Sequence, residues 1–254
     1  MEMVMATDLT GKTILITGAS RGVGAACARL AVQQGARVLC HARGPSDQAS
    51  ALMRDLGDQG TEFLFEDLSL PGAGARLIAR ASEHARLDGL VNNAGIYLPS
   101  PLTGEIDEWD SGWQQTIATN VQAVADSCRS VIAHFRDHGG GTIVNVASRA
   151  GHRGDGVEHA AYAASKAAVL AMTKTWARGL AGENIHLYAI APGWIETRMA
   201  PRDIAARAAA VSEIPLGKVA QPEEVAEMIL FLMSGACPSA IGATFDINGA
   251  SYVR

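Results

Sequence analysis

The stretch Thr13-Ile14-Leu15-Ile16-Thr17-Gly18-Ala19-Ser20-Arg21-Gly22-Val23-Gly24 decides the fold. Its first five residues are mostly apolar, which predicts a short buried strand over Thr13–Thr17. Its end runs into a predicted helix, Gly22–Gln34, followed by Gly35, a residue type favoured just beyond a helix C-terminus. A strand, a glycine-rich turn and a helix in this order predict a corner whose backbone N–H groups can bind phosphate.

The three glycines of this corner have separate roles. Gly18 allows the tight turn, Gly22 lets a pyrophosphate approach the backbone, and Gly24 lets the helix pack closely on the strand. Their spacing is Gly-x-x-x-Gly-x-Gly rather than the dinucleotide fingerprint Gly-x-Gly-x-x-Gly. A glycine-rich turn alone is also typical of ordinary strand–helix connections, which need glycine only for its backbone angles. The corner gains significance because the chain continues to alternate strand and helix.

Apolar runs typical of strands alternate with helical stretches along the whole chain. The predicted strands are Thr13–Thr17, Arg37–His41, Glu62–Phe65, Gly89–Asn92, Thr142–Ala147, Ile185–Ala191 and Thr244–Ile247. The predicted helices are Gly22–Gln34, Asp47–Leu56, Ala73–Ala85, Asp110–His138, Ala160–Ala181 and Pro222–Ser234. This alternation predicts right-handed crossovers and an α/β fold with a doubly wound parallel sheet, whose ligands bind at the carboxyl ends of the strands. We expect one domain over residues 1–254, with residues 1–8 as a flexible tail.

The composition is consistent with one large α/β domain. The chain has 254 residues, of which 48% are hydrophobic and 5% aromatic, as suits an aliphatic core between helices and a parallel sheet. The formal net charge of −5 argues against a nucleic-acid surface, which is usually basic. No apolar run approaches the roughly 18–20 residues of a transmembrane helix, and Met1–Thr10 lacks the regions of a signal peptide. We therefore expect a cytoplasmic protein that binds neither nucleic acid nor membrane.

The cysteines and histidines show no metal-binding spacing. The four cysteines are Cys27, Cys40, Cys128 and Cys237. Without a Cys-x-x-Cys pair they are typical of small buried residues in a reducing compartment. The histidines are scattered, His41 among them, and the helical pair His134 and His138 lies at a helix end, where positive charge suits the helix dipole. The sequence therefore predicts no bound metal.

Tyr162 and Lys166 lie four residues apart in a predicted helix. Residues i and i+4 share one face, so the phenol and the ammonium should point to the same region. A free tyrosine titrates near ~10, and a nearby cation lowers that pKa toward the range where tyrosine can act as an acid or base. The same spacing is also common on solvated helix faces. Its significance depends on its position relative to the other motifs.

Five motifs occur in an order that resembles the short-chain dehydrogenase/reductase family. They are the glycine corner, Asn92-Asn93-Ala94-Gly95, Ser148, the Tyr162/Lys166 pair and Pro192-Gly193. The resemblance runs from Leu9 to Gly249. It implies a Rossmann-type sheet of about seven strands with helices on both faces. It also implies an oxidoreductase that transfers a hydride between a nicotinamide cofactor and a carbonyl or secondary alcohol.

The resemblance implies four catalytic residues: Asn120, Ser148, Tyr162 and Lys166. Ser148 would bond the substrate oxygen and polarise the carbonyl, and Tyr162 would be the general acid in reduction and the base in oxidation. Lys166 would lower the tyrosine pKa and bind the nicotinamide ribose. Asn120 would break its helix and hold a water, although it could equally be an ordinary polar helix residue. No Gly-x-Ser-x-Gly elbow surrounds Ser148, which argues against a hydrolase.

The residues after the second predicted strand indicate which cofactor is preferred. An acidic side chain that would bind the 2′-hydroxyl of NAD is expected near Ala42, which carries none. Arg43 follows, and Arg21 lies in the glycine corner, so two guanidiniums could pair with a 2′-phosphate. Arg43 could instead begin a surface loop, with Arg21 merely solvated. We expect NADP(H).

Further cofactor contacts are implied along the same edge of the sheet. The full set is Gly18, Ser20, Arg21, Gly22, Val23, Gly24, Arg43, Asp67, Leu68, Asn93, Ala94, Gly95, Tyr162, Lys166, Pro192, Gly193, Ile195 and Thr197. Asp67 could equally be a turn residue, and Asn92 could equally have a purely structural role. Residues 199–214 would form a mobile lid over the substrate, with a short helix at Ile204–Val211.

The substrate is less clearly indicated, beyond a small carbonyl or alcohol. The closest likeness is to 3-oxoacyl-carrier-protein reductases and to carbonyl or sugar reductases. An acidic carrier needs basic residues at the rim, which Gly139–Gly141 and Gly182–Asn184 lack. The loop Arg149–Ala161 is about one residue longer than usual, and its charged residues form either a polar pocket wall or a solvated loop. The alternatives are a 3-oxoacyl-carrier-protein reductase, a sugar or polyol dehydrogenase that uses NAD(H), and a non-enzymatic NADP-binding regulator.

Two helices predict self-assembly. They carry more apolar residues than one sheet face needs, which are Val121, Val124, Ile132, Val169, Met172 and Trp176. A helix that is apolar on more than one stripe is buried on more than one side. By resemblance these helices would pair across a two-fold axis, and a second two-fold would complete a homotetramer. The alternative is a monomer or dimer in which these residues face their own core.

Overall fold

The computed structural model describes residues 7–57, 61–197 and 203–254, so residues 1–6 of the expected tail lie outside the described part. Seven parallel strands form one sheet in the order β3-β2-β1-β4-β5-β6-β7. They are β1 Thr13–Ile16, β2 Arg37–Ala42, β3 Glu62–Phe65, β4 Gly89–Asn92, β5 Gly141–Val146, β6 Ile185–Pro192 and β7 Thr244–Ile247. All seven predicted strands are therefore found, with ends that differ by one residue at most.

The helices cover both faces of the sheet. They are α1 Gly22–Gln33, α2 Asp47–Leu56, α3 Ala73–His84, α4 Ile106–Ile117, α5 Ala123–His138, α6 Ala150–Arg153, α7 Ala160–Leu180, α8 Ile204–Ser212 and α9 Pro222–Ser234. Alternate residues of a strand point to opposite faces. Accordingly, Ile14 and Ile16 of β1 join the core formed with α1, α2 and α9, whereas Leu15 joins the core formed with α3, α5 and α7.

The strand order reverses beside β1. Ile16 pairs with Cys40 of β2 on one side and with Val91 of β4 on the other. The chain therefore leaves the ends of β1 and β4 in opposite directions, which opens a crevice at the carboxyl edge of the sheet. The glycine corner, Asn93 and Ser148 all follow strands that end at this edge.

The predicted helix Asp110–His138 is wrong in its start and in its continuity. Helix α4 begins earlier, at Ile106, with Asp107 and Glu108 in its first turn, where acidic residues favour a helix start. A π-helical turn, Ala118–Gln122, then separates α4 from α5. Such a turn places one extra residue in the helix, and it falls at Asn120, the predicted helix breaker.

The apolar residues that predicted self-assembly are largely satisfied within one subunit. Val124, Ile132 and Val169 are buried in the core of the single chain, and Met172 and Trp176 pack against it. These residues therefore do not by themselves indicate a partner. Large apolar side chains that are exposed lie elsewhere, for example Ile106 and Ile117 of α4 and Phe231 of α9.

The cysteines differ from the prediction at one position. Cys27, Cys40 and Cys128 are buried, and burial raises the pKa of the Cys40 and Cys128 thiols to about 12. Cys237 is exposed, because it lies just beyond Gly235, where α9 ends and the chain turns at the surface. Within the described ranges no helix is long and apolar enough to cross a membrane, and no three His, Cys, Asp or Glu side chains group as metal ligands would.

Candidate active site

The glycine corner leaves no room for side chains at two positions. A Cβ built on Gly24 would lie 2.9 Å from the Cα of Ala19 and would collide with the Gly18 carbonyl oxygen. Gly18 has φ +66°, and a Cβ there would lie 2.9 Å from the Cα of Ala94. Both observations follow from the close packing of α1 and the end of β4 against the turn. The result is an open backbone surface at the start of α1, as the sequence predicts for phosphate binding.

Thr17 and Asn93 join the ends of β1 and β4 by side-chain bonds to the backbone. The Thr17 hydroxyl accepts hydrogen bonds from the N–H of Asn93 (2.9 Å) and of Ala94 (3.0 Å) and donates to the Val91 carbonyl (3.2 Å). The Asn93 amide donates in return to the Thr17 carbonyl at 2.9 Å. These bonds fix the width of the crevice where the strand order reverses.

His41 supports the corner from below, which the sequence analysis did not predict. Its imidazole is buried, its Nδ1 accepts a hydrogen bond from the Gly18 N–H (3.2 Å), and its Nε2 lies 2.9 Å from the Glu66 carbonyl oxygen. Both bonds together require the neutral ring with its proton on Nε2. Burial lowers the pKa of His41, which favours that neutral form. The available signal was its place at the end of β2, beside the corner.

The two arginines expected to bind the 2′-substituent have their side chains at the protein surface. Arg43 and Arg21 are both exposed, and neither forms an ion pair with a carboxylate within residues 7–57, 61–197 and 203–254. Asp67 accepts hydrogen bonds from the Ser69 N–H (3.0 Å) and hydroxyl (2.7 Å). These bonds lower the pKa of Asp67, with a smaller contribution from the Arg43 charge. The hydrogen bonds fit the turn interpretation of Asp67, and Leu68 beside it is buried.

Ser148, Tyr162 and Lys166 converge at the ends of β5 and α7. Ser148 is hydrogen-bonded to the Tyr162 side chain and accepts a hydrogen bond from the Ala150 N–H at 3.1 Å. The Lys166 ammonium lies 5.7 Å from the centre of the Tyr162 ring and donates to the Val146 carbonyl at 2.9 Å. The serine–tyrosine–lysine grouping expected from the sequence is thus assembled in space.

Asn120 connects this group to the loop after β4. Its amide accepts from the Ile96 N–H and donates to the Ile96 carbonyl, both at 2.9 Å, and donates to the Ser165 hydroxyl at 3.1 Å. A Cβ built on Gly95 would lie 3.4 Å from Asn120 Oδ1 and 3.5 Å from the Lys166 ammonium nitrogen. Asn120 and Lys166 therefore meet beside Gly95. Asn92 is turned inward to Asn145 at 2.8 Å, in the structural role considered for it.

Burial dominates the ionisation of the tyrosine–lysine pair. Desolvation raises the pKa of Tyr162 to about 12, although the hydrogen bond with Ser148 opposes the shift. Desolvation lowers the pKa of Lys166 to about 8. The net pKa shift of Tyr162 is therefore upward, opposite to the lowering expected from the lysine charge alone. The reason is that the free energy required to remove the phenolate from water exceeds the stabilisation that its hydrogen bond with Ser148 provides.

The segment after β6 returns to the glycine corner. Gly193 donates from its N–H to the Ile247 carbonyl at 2.9 Å, and Ile195 pairs with Ala220 as an isolated bridge. The Thr197 methyl carbon lies 3.2 Å from the position of a Cβ on Gly22. The chain beyond Pro192, where β6 ends, thus runs to the start of α1. Thr197 from this segment faces Gly22 of the glycine corner, and both were expected to contact the cofactor.

An aromatic wall beside Tyr162 was missed by the sequence analysis. The Tyr97 ring stacks on His159 with centroids 3.9 Å apart and meets Tyr162 edge-on at 4.7 Å and Trp194 at 6.5 Å. The Tyr97 hydroxyl is hydrogen-bonded to Asp155. Burial raises the Tyr97 pKa, so this phenol stays protonated. The only signal was an aromatic residue two positions after Gly95, in the loop that follows β4.

The loop Arg149–Ala161 divides between the pocket and the surface. Asp155 and His159 contact the aromatic wall, whereas the His152 ring packs on Tyr252 near the C-terminus, with centroids 5.7 Å apart. Both Arg149 and Arg153 contact the carboxylate of Glu213, at 3.5 and 3.0 Å. The described part of the predicted lid contains the short helix α8, as expected, and residues 199–202 of that lid lie outside the described residues.

Comparison with known proteins identifies relatives across almost the whole chain. The family model described as enoyl-(acyl carrier protein) reductase matches residues 18–249. The chain is 36% identical to the 3-oxoacyl-[acyl-carrier-protein] reductase FabG of Thermotoga maritima, covering 96% of this chain and 99% of that protein. It is also 36% identical to cis-4-hydroxycyclohexanecarboxylate dehydrogenase of Sinomonas cyclohexanicum, covering 94% of this chain and 95% of that protein.

A solved structure agrees with this assignment. The Pseudomonas aeruginosa RhlG/NADP active-site complex superimposes with a TM-score of 0.88 at 30% identity, covering 99% of this chain and 100% of that one. The parallel seven-stranded sheet, the glycine corner and the serine–tyrosine–lysine grouping accompany these similarities along the same length of chain. The chain therefore belongs to the short-chain dehydrogenase/reductase family of oxidoreductases.

Proposed function

We propose that this protein is an NADP(H)-dependent oxidoreductase that interconverts a carbonyl compound and a secondary alcohol. The observation that carries the proposal is the hydrogen-bonded Ser148–Tyr162 pair beside buried Lys166, at the edge of the sheet that holds the glycine corner. A proton donor, a donor for the substrate oxygen and a phosphate-binding corner are the groups that such a reaction requires.

The described residues fit a dinucleotide. The corner has backbone in place of side chains at Gly18 and Gly24, and α1 begins with its N–H groups beside them. Asn93 and Ala94 form the opposite side, and Thr197 faces the corner across Gly22. When bound, the nicotinamide supplies the hydride, with its two electrons, to the carbonyl carbon in reduction or accepts it in oxidation.

The protein's own residues manage the proton and the substrate oxygen. In reduction the Tyr162 hydroxyl donates its proton to that oxygen, while Ser148 hydrogen-bonds to it and favours the charge that develops there. The raised pKa of Tyr162 keeps the phenol protonated at neutral pH, which is the form that reduction needs. The positive charge of Lys166 stabilises the phenolate left behind. Asn120 fixes the helix turn beside Lys166.

NADP(H) is favoured over NAD(H) by charge. Ala42 provides no carboxylate to bind a 2′-hydroxyl, and Arg43 and Arg21 are exposed beside this position. Guanidiniums bind phosphate through two parallel charged hydrogen bonds, which makes them suited to a 2′-phosphate. The Pseudomonas aeruginosa RhlG structure contains NADP, which supports the same choice.

A small substrate is favoured over an acyl-carrier protein. The rim that would meet an acidic carrier contains Glu183, whose carboxylate holds Arg136 at 2.6 Å. That ion pair neutralises the nearby cation, and a carrier would have to compete for it. Reduction of oxoacyl thioesters, an NAD(H)-dependent polyol oxidation and pure cofactor binding remain the alternatives to be tested.

We further propose that the protein is a cytoplasmic homotetramer of single-domain chains. The exposed Ile106 and Ile117 on α4, and Phe231 on α9, lie on two separate surfaces, as two different two-fold contacts would require. Buried free thiols at Cys27, Cys40 and Cys128 suit a reducing compartment. Light scattering at micromolar concentration tests the assembly, because a mass near the 26.5 kDa of one chain would contradict it.

Steady-state turnover tests the function. Rates with NADPH and NADH should be measured against ketones, aldehydes, sugars and oxoacyl thioesters, with Tyr162→Phe as the matched control. We expect NADPH oxidation with at least one small carbonyl compound and almost none with the control. Cofactor binding without hydride transfer to any carbonyl compound would indicate a regulator instead, and a clear preference for thioesters would restore the carrier-protein alternative.

A further inference from the structure

Arg149, the residue after Ser148, has a buried guanidinium with unused hydrogen-bonding capacity. Its side chain is only 7% exposed, and its Nη1 atom has no hydrogen-bond partner within the part of the chain that the structure describes. Its Nη2 atom lies 3.5 Å from the Glu213 carboxylate. A guanidinium has five N–H donors, and a buried cation that lacks partners is costly. An acceptor on a bound ligand would complete the pairing of Nη1.

Arg149 follows Ser148 directly in the chain, and its backbone is hydrogen-bonded to the end of β6. The Arg149 N–H donates to the Pro192 carbonyl at 2.9 Å, two residues before Trp194. The Trp194 ring lies 6.5 Å from that of Tyr97, which is 4.7 Å from that of Tyr162. The backbone at Arg149 is therefore held between Ser148 and the segment that leads to the aromatic wall.

A carboxylate already binds at this guanidinium. Glu213, at the C-terminal end of α8, contacts Arg149 and also Arg153, which lies 3.0 Å from the same oxygen atom. Glu213 is half exposed and belongs to the predicted lid, whereas the Arg149 side chain is buried and its backbone N–H donates to the Pro192 carbonyl (2.9 Å). The fixed part of this pair is thus the cation, and the group that it selects is a carboxylate.

We propose that Arg149, assisted by Arg153, binds a carboxylate of the substrate and thereby selects oxo- and hydroxy-carboxylates. The carbonyl would lie at Ser148 and Tyr162, and the aromatic wall would contact the apolar part between the two polar ends. Glu213 then serves as the internal carboxylate that the substrate displaces or joins. This inference rests on the oxidoreductase function proposed above and specifies its substrate class.

Calorimetry tests the binding without requiring turnover. Cyclohexanecarboxylate and its neutral amide should be titrated into the NADP⁺-loaded protein and into Arg149→Met, which keeps an unbranched apolar stem but removes the guanidinium. We expect the acid to bind more tightly than the amide, and Arg149→Met to weaken acid binding by about 10–100-fold, the equivalent of hydrogen bonds to a charged group. Arg149→Lys should recover part of the loss, and the exposed Arg54→Met should behave as wild type.

Kinetics tests the same residue in catalysis. Oxo-carboxylates, including 4-oxocyclohexanecarboxylate, should be compared with their methyl esters as substrates with NADPH. We expect Arg149→Met to raise KM for the acids and to change KM for the esters little. Arg153→Gln, which alters a more exposed side chain, should give a smaller selective loss of about 3-fold. It provides a second test if circular dichroism shows that the Arg149 variant is unfolded.

The possible outcomes distinguish a failure of the proposed carboxylate site from a failure of the proposed oxidoreductase function. Equal binding of acid and amide, or equal losses for acids and esters, would overturn the carboxylate site even if esters are reduced normally. Arg149-dependent binding of the acid without hydride transfer to any probe would support the anion site while contradicting the proposed oxidoreductase function.

Discussion

The carboxyl edge of the sheet has a cofactor half, around the glycine corner, and a substrate half, around the aromatic wall and the predicted lid. The two halves are held together by different kinds of contact. In the cofactor half, Thr17, His41 and Asn93 all use their side chains to bond backbone atoms of neighbouring strands. In the substrate half, the contacts join side chains on loops and on the predicted lid, such as Arg153 with Glu213 and Tyr97 with His159. Backbone bonds fix one shape irrespective of the neighbouring side chains, whereas contacts between loop side chains can change with sequence. The difference indicates a constant cofactor site beside an adaptable substrate site.

The largest expected effect is the loss of turnover on substitution of Tyr162, which lies at the boundary between the two halves. Tyr162→Phe removes the proposed proton donor while keeping the ring that packs against Tyr97. Turnover should fall by ~10²–10⁴-fold, the usual contribution of general acid catalysis, while the Kd of NADPH stays nearly unchanged. Single-turnover kinetics and calorimetry measure the two quantities. A variant that retains a substantial fraction of wild-type turnover would remove Tyr162 from the catalytic role.

Lys166→Ala should affect both halves at once. The ammonium is buried beside Tyr162, and we propose that it also contacts the cofactor ribose. We expect lower turnover, weaker NADP(H) binding and an alcohol-oxidation rate that rises at higher pH than in wild type, because the phenolate loses its cation. An unchanged pH profile in a variant with measurable activity would leave Lys166 with a binding role only.

Arg43→Ala should act on the cofactor half alone. Loss of the charged hydrogen bonds to the 2′-phosphate should weaken NADPH by about 1–3 kcal/mol and leave NADH nearly unchanged. The Arg43→Lys variant is the control for charge without the planar fork. Equal Kd values for the two cofactors in the wild-type protein would contradict the assignment of both Arg43 and Arg21.

His41→Gln should give the smallest effect, which is a change in how the stability of the protein depends on pH. Its pKa is lowered in the folded protein, so its contribution to stability is complete above the unfolded value of ~6.5 and is lost as the pH falls below it. Glu66 and Asp67 oppose the shift, and Arg80 adds to it. His41→Gln can keep both hydrogen bonds without titrating. Urea unfolding should therefore show a steeper loss of stability between pH 7 and 5 in wild type than in the variant; parallel curves would contradict this.

The sequence could predict the features that depend on local pattern. All seven strands followed from apolar runs, and the corner followed from three glycines whose spacing reflects close packing at Gly18 and Gly24. The Tyr162/Lys166 pair followed from helix periodicity. In each case the cause lies within a few residues of the effect, so a single segment contains the information.

The features that sequence reasoning missed depend on contacts between distant segments. Tyr97, Tyr162 and Trp194 meet from segments that follow three different strands. Arg149 contacts Glu213 across more than sixty positions of chain. The pKa of Tyr162 was predicted with the wrong sign, because spacing shows which charges are near but not how much water is excluded. Burial is a property of the assembled fold.

The double hydrogen bond between Asn120 and Ile96 has a consequence for how such an enzyme can diversify. It anchors the residue just before Tyr97 to the helix turn that adjoins Lys166. Any change that moves this aromatic wall therefore also disturbs the proton-transfer group, and variants here would lose activity before they gained a new preference. Changes of substrate preference are accordingly expected at positions that do not contact this wall, such as Arg153 and residues 203–214.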